Sequence, residues 1–260
     1  MTQRWRDRRD SYRRPDEQIR TSAYDVAPIG DDMTARRFVE QHHYSGTYPA
    51  ARERLGLYRG GGLVGVAVFS HPASDAVLTN VFPGVARDSV ELGRFVLLDD
   101  VEGNGETWFL ARCFEMLRAK AYRGVVSFSD PMPRYDLTRD RQVFAGHVGT
   151  IYQAHNAVYL GRATSRTLRL LPDGTVFSAR AASKIRAGER GWRYAADTLE
   201  RFGAAPLTDP NAGPSWLAHW LPILTRAVRH PGNHRYAWRL NRRVVIHGLS
   251  RRYPKKGTPA

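Results

Sequence analysis

The sequence predicts an α/β (α+β) fold: a mixed central sheet flanked by helices, followed by a basic C-terminal extension. Three observations predict it. The run Glu91-Leu92-Gly93-Arg94-Phe95-Val96-Leu97-Leu98 is largely branched, apolar or aromatic, the signature of a strand buried on both faces. After an acidic glycine loop, Leu110, Cys113, Leu117 and Ala121 recur at helical spacing, with Arg112, Glu115 and Arg118 opposite. Gly124 ends that helix, and Val125-Val126-Ser127-Phe128-Ser129-Asp130 follows as a second strand. A β-loop-α-β unit of this kind places its site at the carboxyl ends of the strands. Ser127, Ser129 and Asp130 sit at such an end.

The remaining elements follow in chain order. Residues 1–22 are rich in Arg and poor in aliphatics, and read as a disordered basic tail. Residues 23–205 read as the catalytic domain and 206–260 as the extension. Tyr24 to Ile29 is a first strand, and Asp31 or Asp32 caps a helix through Phe38, Val39 and Glu40. His42-His43-Tyr44-Ser45-Gly46 is either a polar loop ending that helix or a site loop. Leu57 to Phe69 around Gly60-Gly61-Gly62 is a β-hairpin. Thr150 to Leu160 reads as a helix capped by Thr150 and stopped by Gly161, with Tyr152, His155, Asn156 and Tyr159 on one face. That face is either plain surface or the wall of a pocket. Thr167 to Phe177 makes a hairpin around Pro172-Asp173-Gly174. Ser178 to Phe202 is a basic helix, Pro206 to Pro214 a linker, and Trp216 to Val228 a further helix. His234 to Leu240 alternates cationic with bulky residues, as a strand with one basic face does.

Composition narrows the function. The chain has 260 residues, 42% hydrophobic, and no apolar run near the roughly 20 residues that span a bilayer. No secretory h-region is visible, and Cys113 is the one cysteine. The expected home is a reducing cytoplasm, with Cys113 a buried structural thiol. The net charge is +15, no Asp or Glu follows Asp209, and ten Lys or Arg do. An arginine-biased coding preference explains part of this; it does not explain 51 residues without an acid. The asymmetry points to a polyanion, most simply nucleic acid. Arg235, Arg239, Arg242 and Arg243, with Lys184 and Arg186, are the candidate backbone contacts.

The order of elements resembles a GNAT-type N-acyltransferase, a fold that holds acyl-CoA at a glycine loop. Here that loop is Asp100-Val101-Glu102-Gly103-Asn104-Gly105. Gly103, Asn104 and Gly105 are the candidate cofactor contacts, but the position that is usually cationic or an amide is Asp100. Asp99, Glu102 and Glu106 add negative charge, which disfavours a pyrophosphate. Four stretches in one order resemble a more specific family: His42-His43-Tyr44-Ser45-Gly46, Glu91-Leu92-Gly93-Arg94-Phe95, Ser127-Phe128-Ser129-Asp130-Pro131 and Gly146-His147-Val148-Gly149-Thr150-Ile151-Tyr152. Together they are similar to the Mom family of phage DNA-modification proteins.

That resemblance implies a GNAT-like fold without conventional acetyl transfer. It implies addition of a carbamoylmethyl (acetamido) group to adenine N6, which shields phage DNA from restriction. It implies that Tyr44, Arg94, Ser129, Asp130 and Tyr152 line the site, and that double-stranded DNA presents an extruded adenine. Asp130 is the candidate base. A buried Arg94 needs an anionic partner, either Asp130 or a donor group. Ser129 serves equally well as a turn residue. The donor is unknown and acetyl-CoA disfavoured; no metal-ligand spacing is visible, and iron enters only through the resemblance. The alternatives are a conventional acyl-CoA-dependent N-acyltransferase and a non-catalytic nucleic-acid-binding protein.

Overall fold

The computed structural model describes residues 17–255, and the backbone alone of 2–6 and 9–13. The expected disordered tail falls partly outside these residues, at 1, 7–8 and 14–16. Where backbone is described, β1 (Thr2–Arg6) and β2 (Arg9–Arg13) pair as an antiparallel ladder.

The chain divides into two units, and not at the boundary expected near residue 206. One comprises the chain up to Pro131, Gly146–Ala163 and everything from Asn233 on; the other comprises Met132–Ala145 and Thr164–Gly232.

In the first unit, β3 (Tyr24–Pro28) precedes α1 (Asp32–His42). The Asp31 side chain caps that helix by accepting from the Thr34 amide at 2.7 Å. β4 (Ala51–Arg59) and β5 (Gly62–Ser70) form the hairpin. Gly60 and Gly61 both have positive φ, as a two-residue turn requires. α2 (Ala76–Thr79) is a single turn. β6 (Ser89–Leu97), α3 (Gly105–Ala119) and β7 (Gly124–Ser129) are the β-loop-α-β unit, its strands parallel. Later elements of the unit are α4 (Thr150–Ala154), β10 (Val158–Arg162) and β14 (His234–Arg239).

Seven strands form one sheet in the order β10-β14-β7-β6-β5-β4-β3. Val64 to Ser70 of β5 are all buried, because both faces are covered. α1 packs Ala35 and Val39 against Val66, Val68 and Val96. On the opposite face α3 packs Phe109, Leu110, Cys113, Phe114 and Leu117 against Ala67, Phe69, Val90 and Leu92. Cys113 is fully buried there.

Two expectations for this unit are corrected. The C-terminal stretch is no appendage: β14 lies inside the sheet, pairing with β7 from His234↔Ser129 to Arg239↔Gly124 and with β10 on its other side. Tyr236 and Ala237 are fully buried. The expected helix from Thr150 to Leu160 stops after Ala154. Asn156 turns the chain with φ 56°, and Val158, Tyr159 and Leu160 join β14 as a strand. β-branched and aromatic residues beside an open ladder edge prefer it to a solvent-facing helix. Gly161 marks a register shift in β10 and not a helix end.

The second unit holds β8 (Arg134–Asp136) paired with β9 (Arg141–Phe144). Its three-stranded sheet has the order β12-β11-β13, with β11 (Arg166–Leu170), β12 (Val176–Phe177) and β13 (Arg226–His230). The expected hairpin around Pro172-Asp173-Gly174 is β11–β12. The expected long basic helix is two, α5 (Ala179–Ala187) and α6 (Trp192–Glu200). Gly188 and Gly191, both with positive φ, break it. α7 (Gly213–Leu224) is followed directly by β13, where a helix to Val228 was expected. Ile185, Ala196, Leu199 and Leu217 form this unit's core. No helix among the described residues is long and apolar enough to cross a membrane.

Candidate active site

The site begins where two strands part. β6 and β7 pair over four residues only, from Ser89↔Gly124 to Leu92↔Ser127. Beyond Leu92, β6 continues on β5 as far as Leu97↔Gly65. Beyond Ser127, β7 continues on β14 as far as Ser129↔His234. Past the last shared pair the strands no longer bond to each other, so a gap opens in the sheet at their carboxyl ends. The Ser127 hydroxyl closes its base by donating to the Leu92 carbonyl at 2.9 Å.

A bulge aims the side chains at this gap. Val68 pairs with Arg94 and Phe69 with Leu92, which leaves Gly93 as the extra residue. Val90 and Leu92 face the α3 core before the bulge; Phe95 and Leu97 face it after. The parity therefore changes, and Glu91 and Arg94 come to share the other face. Gly93 leaves room for this: a Cβ there would lie 2.7 Å from the Ser70 hydroxyl.

Arg94 is held by the loop after α1. Its Nε donates to the Thr47 carbonyl at 2.7 Å and one terminal nitrogen to the Thr47 hydroxyl at 2.7 Å. The other donates to the Gly93 carbonyl. Burial lowers its pKa, and the fields of Tyr44, Glu91 and Tyr152 oppose that. Asp130, one of the two anionic partners expected for Arg94, is not paired with it. The bulge turns Arg94 toward Thr47, and carbonyl and hydroxyl acceptors satisfy its donors.

In the same loop the Ser45 amide donates to His43 Nδ1 at 3.1 Å. Nδ1 is thus an acceptor, and the ring proton of neutral His43 lies on Nε2. Burial, with Arg94 and His147, holds His43 well below the usual imidazole range, so it stays neutral. The Tyr44 hydroxyl meets His147 Nε2 at 3.2 Å, with the rings edge to face. The His147 amide donates to the Asp130 carbonyl at 2.8 Å, which fastens this loop to the end of β7.

Gly149 is buried with φ 72°. A Cβ there would lie 2.7 Å from the Tyr236 ring, 3.0 Å from Tyr152 and 3.1 Å from the Ser129 hydroxyl. Ser129 Oγ is buried without a hydrogen-bond partner, a polar atom available to a bound group. Tyr152 packs edge to face on Trp238 at 5.5 Å. Burial raises its pKa, and its hydroxyl feels both Glu91 and Arg94. Tyr152 belongs to the α3-face core, so groups from both faces meet through the gap.

Tyr44 and Tyr152 both lie close enough to Arg94 for their fields to act on it. Ser129 borders them, and Asp130 is tied in through its backbone. Asn156, the other residue considered for the pocket, is exposed. Glu91 is not among the residues expected at the site. Its carboxyl is pushed up to about 7 by burial, against the field of Arg94. The signal was a carboxylate in the middle of Val90-Glu91-Leu92.

The glycine loop does not suit a pyrophosphate. Gly103 and Gly105 are buried, and Asn104 is an exposed left-handed N-cap without a side-chain cap bond. Glu106 is 2% exposed in the first turn of α3, where a phosphate would have to sit. Glu102 accepts from the Tyr24 hydroxyl, and Asp100 pairs with Arg59. An unscreened like-charge contact at about 4 Å costs on the order of 1 kcal/mol even in water. Among the described residues, three or more His, Cys, Asp or Glu do not gather as a group that could hold a metal ion.

The arginines expected to contact DNA fall in different settings. Arg239, Arg242 and Arg243 are exposed in the first unit. Arg235 is half-buried on β14, with a buried Nε that has no partner. In the second unit Arg186 is exposed and Lys184 half-buried on α5. Replacing Arg239, Arg242 and Arg243 with Gln is expected to weaken DNA binding and to flatten the log K versus log salt slope by about 0.9 for each phosphate no longer neutralised. An unchanged slope in a salt titration would show that these residues do not touch the backbone.

Among solved structures, the chain is similar to a tandem GNAT protein from the clavulanic acid biosynthesis pathway. Identity is 10%, coverage 84% of this chain and 99% of that one, and TM-score 0.44. It is also similar to an N-acetyltransferase from Staphylococcus aureus Mu50, at 12% identity, coverage of 84% and 99%, and TM-score 0.36. No curated protein matches. The Mom protein family model matches residues 23–255. The chain belongs to the Mom protein family.

Proposed function

We propose that this protein is a transferase that modifies phage DNA, adding a carbamoylmethyl group to N6 of adenine and so protecting the DNA from host restriction. Family membership supports the reading. The observation that carries it is the gap between β6 and β7, furnished with Tyr44, Arg94 and Tyr152 from three separate segments. Adenine N6 is paired and stacked inside a duplex, so the base must swing out to be reached. Tyr44 offers it an aromatic face, and Tyr44 and Tyr152 both bring hydroxyls near Arg94. Arg94, with its donors fixed on Thr47, supplies a preorganised positive field for charge that develops in the transition state. The exposed arginines hold the phosphates. The acids at the N-terminus of α3 weigh against ordinary acyl-CoA chemistry, so the donor is of another kind.

The test is a nucleoside mass spectrum of DNA from cells expressing the protein. The expected result is an adenine nucleoside heavier by a carbamoylmethyl group, absent with Arg94→Ala. An acyl adduct would point to conventional acyl transfer. Unmodified DNA that is still bound would point to a non-catalytic role.

A further inference from the structure

We propose that Glu91, and not Asp130, takes the proton from the acceptor amine. This rests on the function proposed above. The first support is position. Glu91 lies one residue before the end of the shared β6–β7 pairing, paired with Ser70 on β5 and Val126 on β7, neither of them charged. The bulge at Gly93 puts it on the same face as Arg94.

The second support is what Glu91 lacks. Among the described residues nothing donates a hydrogen bond to its carboxylate. The nearby cation is not bonded to it: the hydrogen bonds that Arg94 makes go to Thr47 and the Gly93 carbonyl. The groups facing Glu91 are Arg94 on its own strand and the Tyr152 hydroxyl from α4. His43 and Tyr44 stand behind Arg94. A half-buried carboxylate kept without partners is costly for the fold alone and useful to a reaction that needs a base. Its pKa of about 7 leaves it part ionised at neutral pH and far more basic than an exposed glutamate.

The chemistry balances with an electrophilic donor that carries the carbamoylmethyl carbon on a leaving group. The N6–carbon bond forms as the donor's carbon–leaving-group bond breaks, and the leaving group keeps that electron pair. The N6–H bond breaks, its electrons stay on nitrogen, and the proton passes to a Glu91 oxygen. Removing this proton matters because the N6 lone pair is delocalised into the purine ring.

The experiment compares the full-length protein with Glu91→Gln and Glu91→Asp in extracts buffered from pH 6 to 8. It reads modified adenine by mass spectrometry, DNA affinity by titration and folding by circular dichroism. Wild-type yield is expected to rise with pH through about 7, as Glu91 loses its proton. Glu91→Gln is expected to fold, to bind DNA as the wild type does, and to lose product about 10²- to 10⁴-fold. Glu91→Asp is expected to keep part of the activity, with the pH limb displaced. A folded Glu91→Gln protein that modifies adenine at the wild-type level would overturn the inference. So would an unmoved pH limb in Glu91→Asp, which decides the matter should the Gln variant fail to fold. A wild type that makes no carbamoylmethyl adenine would instead overturn the proposed function, and this inference with it.

Discussion

A chain lacking residues 233–255 is expected not to fold. Those residues include β14, which stands between β7 and β10 in the seven-stranded sheet. Its removal breaks six residue pairs with β7 and frees β10. It also removes Tyr236 and Trp238, which are 0% and 6% exposed. Two such aromatics bury about 150–250 Å² each. At about 25 cal/mol per Å² they contribute about 8–12 kcal/mol as an upper estimate. A domain's whole stability is typically about 5–15 kcal/mol. Circular dichroism and thermal melting of the truncated chain would check this. A cooperative melt that survives the truncation, with only DNA affinity reduced, would mean that the C-terminal stretch is the detachable extension its composition suggested.

Gly149→Ala is expected to disable the site while leaving DNA binding intact. The left-handed conformation at φ 72° costs an L side chain about 1–2 kcal/mol. The new methyl would press on Tyr236, Tyr152 and Ser129 at 2.7, 3.0 and 3.1 Å. Overpacking of this kind costs about 1–3 kcal/mol more. The loop from Gly146 to Gly149 must shift, carrying His147, which meets Tyr44 and holds the end of β7. A displacement of about 1 Å at a reacting centre can cost on the order of 10²-fold in rate. Adenine modification is therefore expected to fall by about that factor, with a lowered melting temperature. DNA affinity, which the proposed function assigns to surface arginines, should hold. Modification at the wild-type level would show that this loop does not position the site.

What the sequence made legible was local. The cap at Asp31, the glycine turn between β4 and β5, and the period of α3 are written in neighbouring residues, and all three appear where expected. The partner of β14 is not local. Trp238 pairs with Val125 across more than a hundred residues, and nothing in either stretch names the other. The alternation of Arg235, Arg239 and bulky residues was read as one basic face. Yet Arg235 is half-buried, because the strand is interior. The helix after Thr150 was overextended because Ile151, Ala154 and Val158 fall at helical spacing by coincidence, and the stop at Asn156 carries no proline or glycine.

At the site, Tyr44, Arg94 and Tyr152 emerged from family likeness, since their contacts join segments far apart in the chain. The supposed Arg94–Asp130 pair failed on one residue. Gly93 inserts a bulge, and strict two-residue alternation cannot foresee the change of face. A glycine inside an otherwise regular strand is the available hint. Glu91 was read as part of a strand, when an acid among Val90 and Leu92 was itself the anomaly.

The backbone passes between the two units at four places: after Pro131, Ala145, Ala163 and Gly232. A protease that nicks any one of these connections leaves three covalent tethers intact. Such a cut should yield two bands on a denaturing gel and a single peak in native size-exclusion chromatography. Neither unit corresponds to a contiguous gene fragment, so expressing the halves separately would need a rewired chain, with new loops joining segments that nature leaves interleaved.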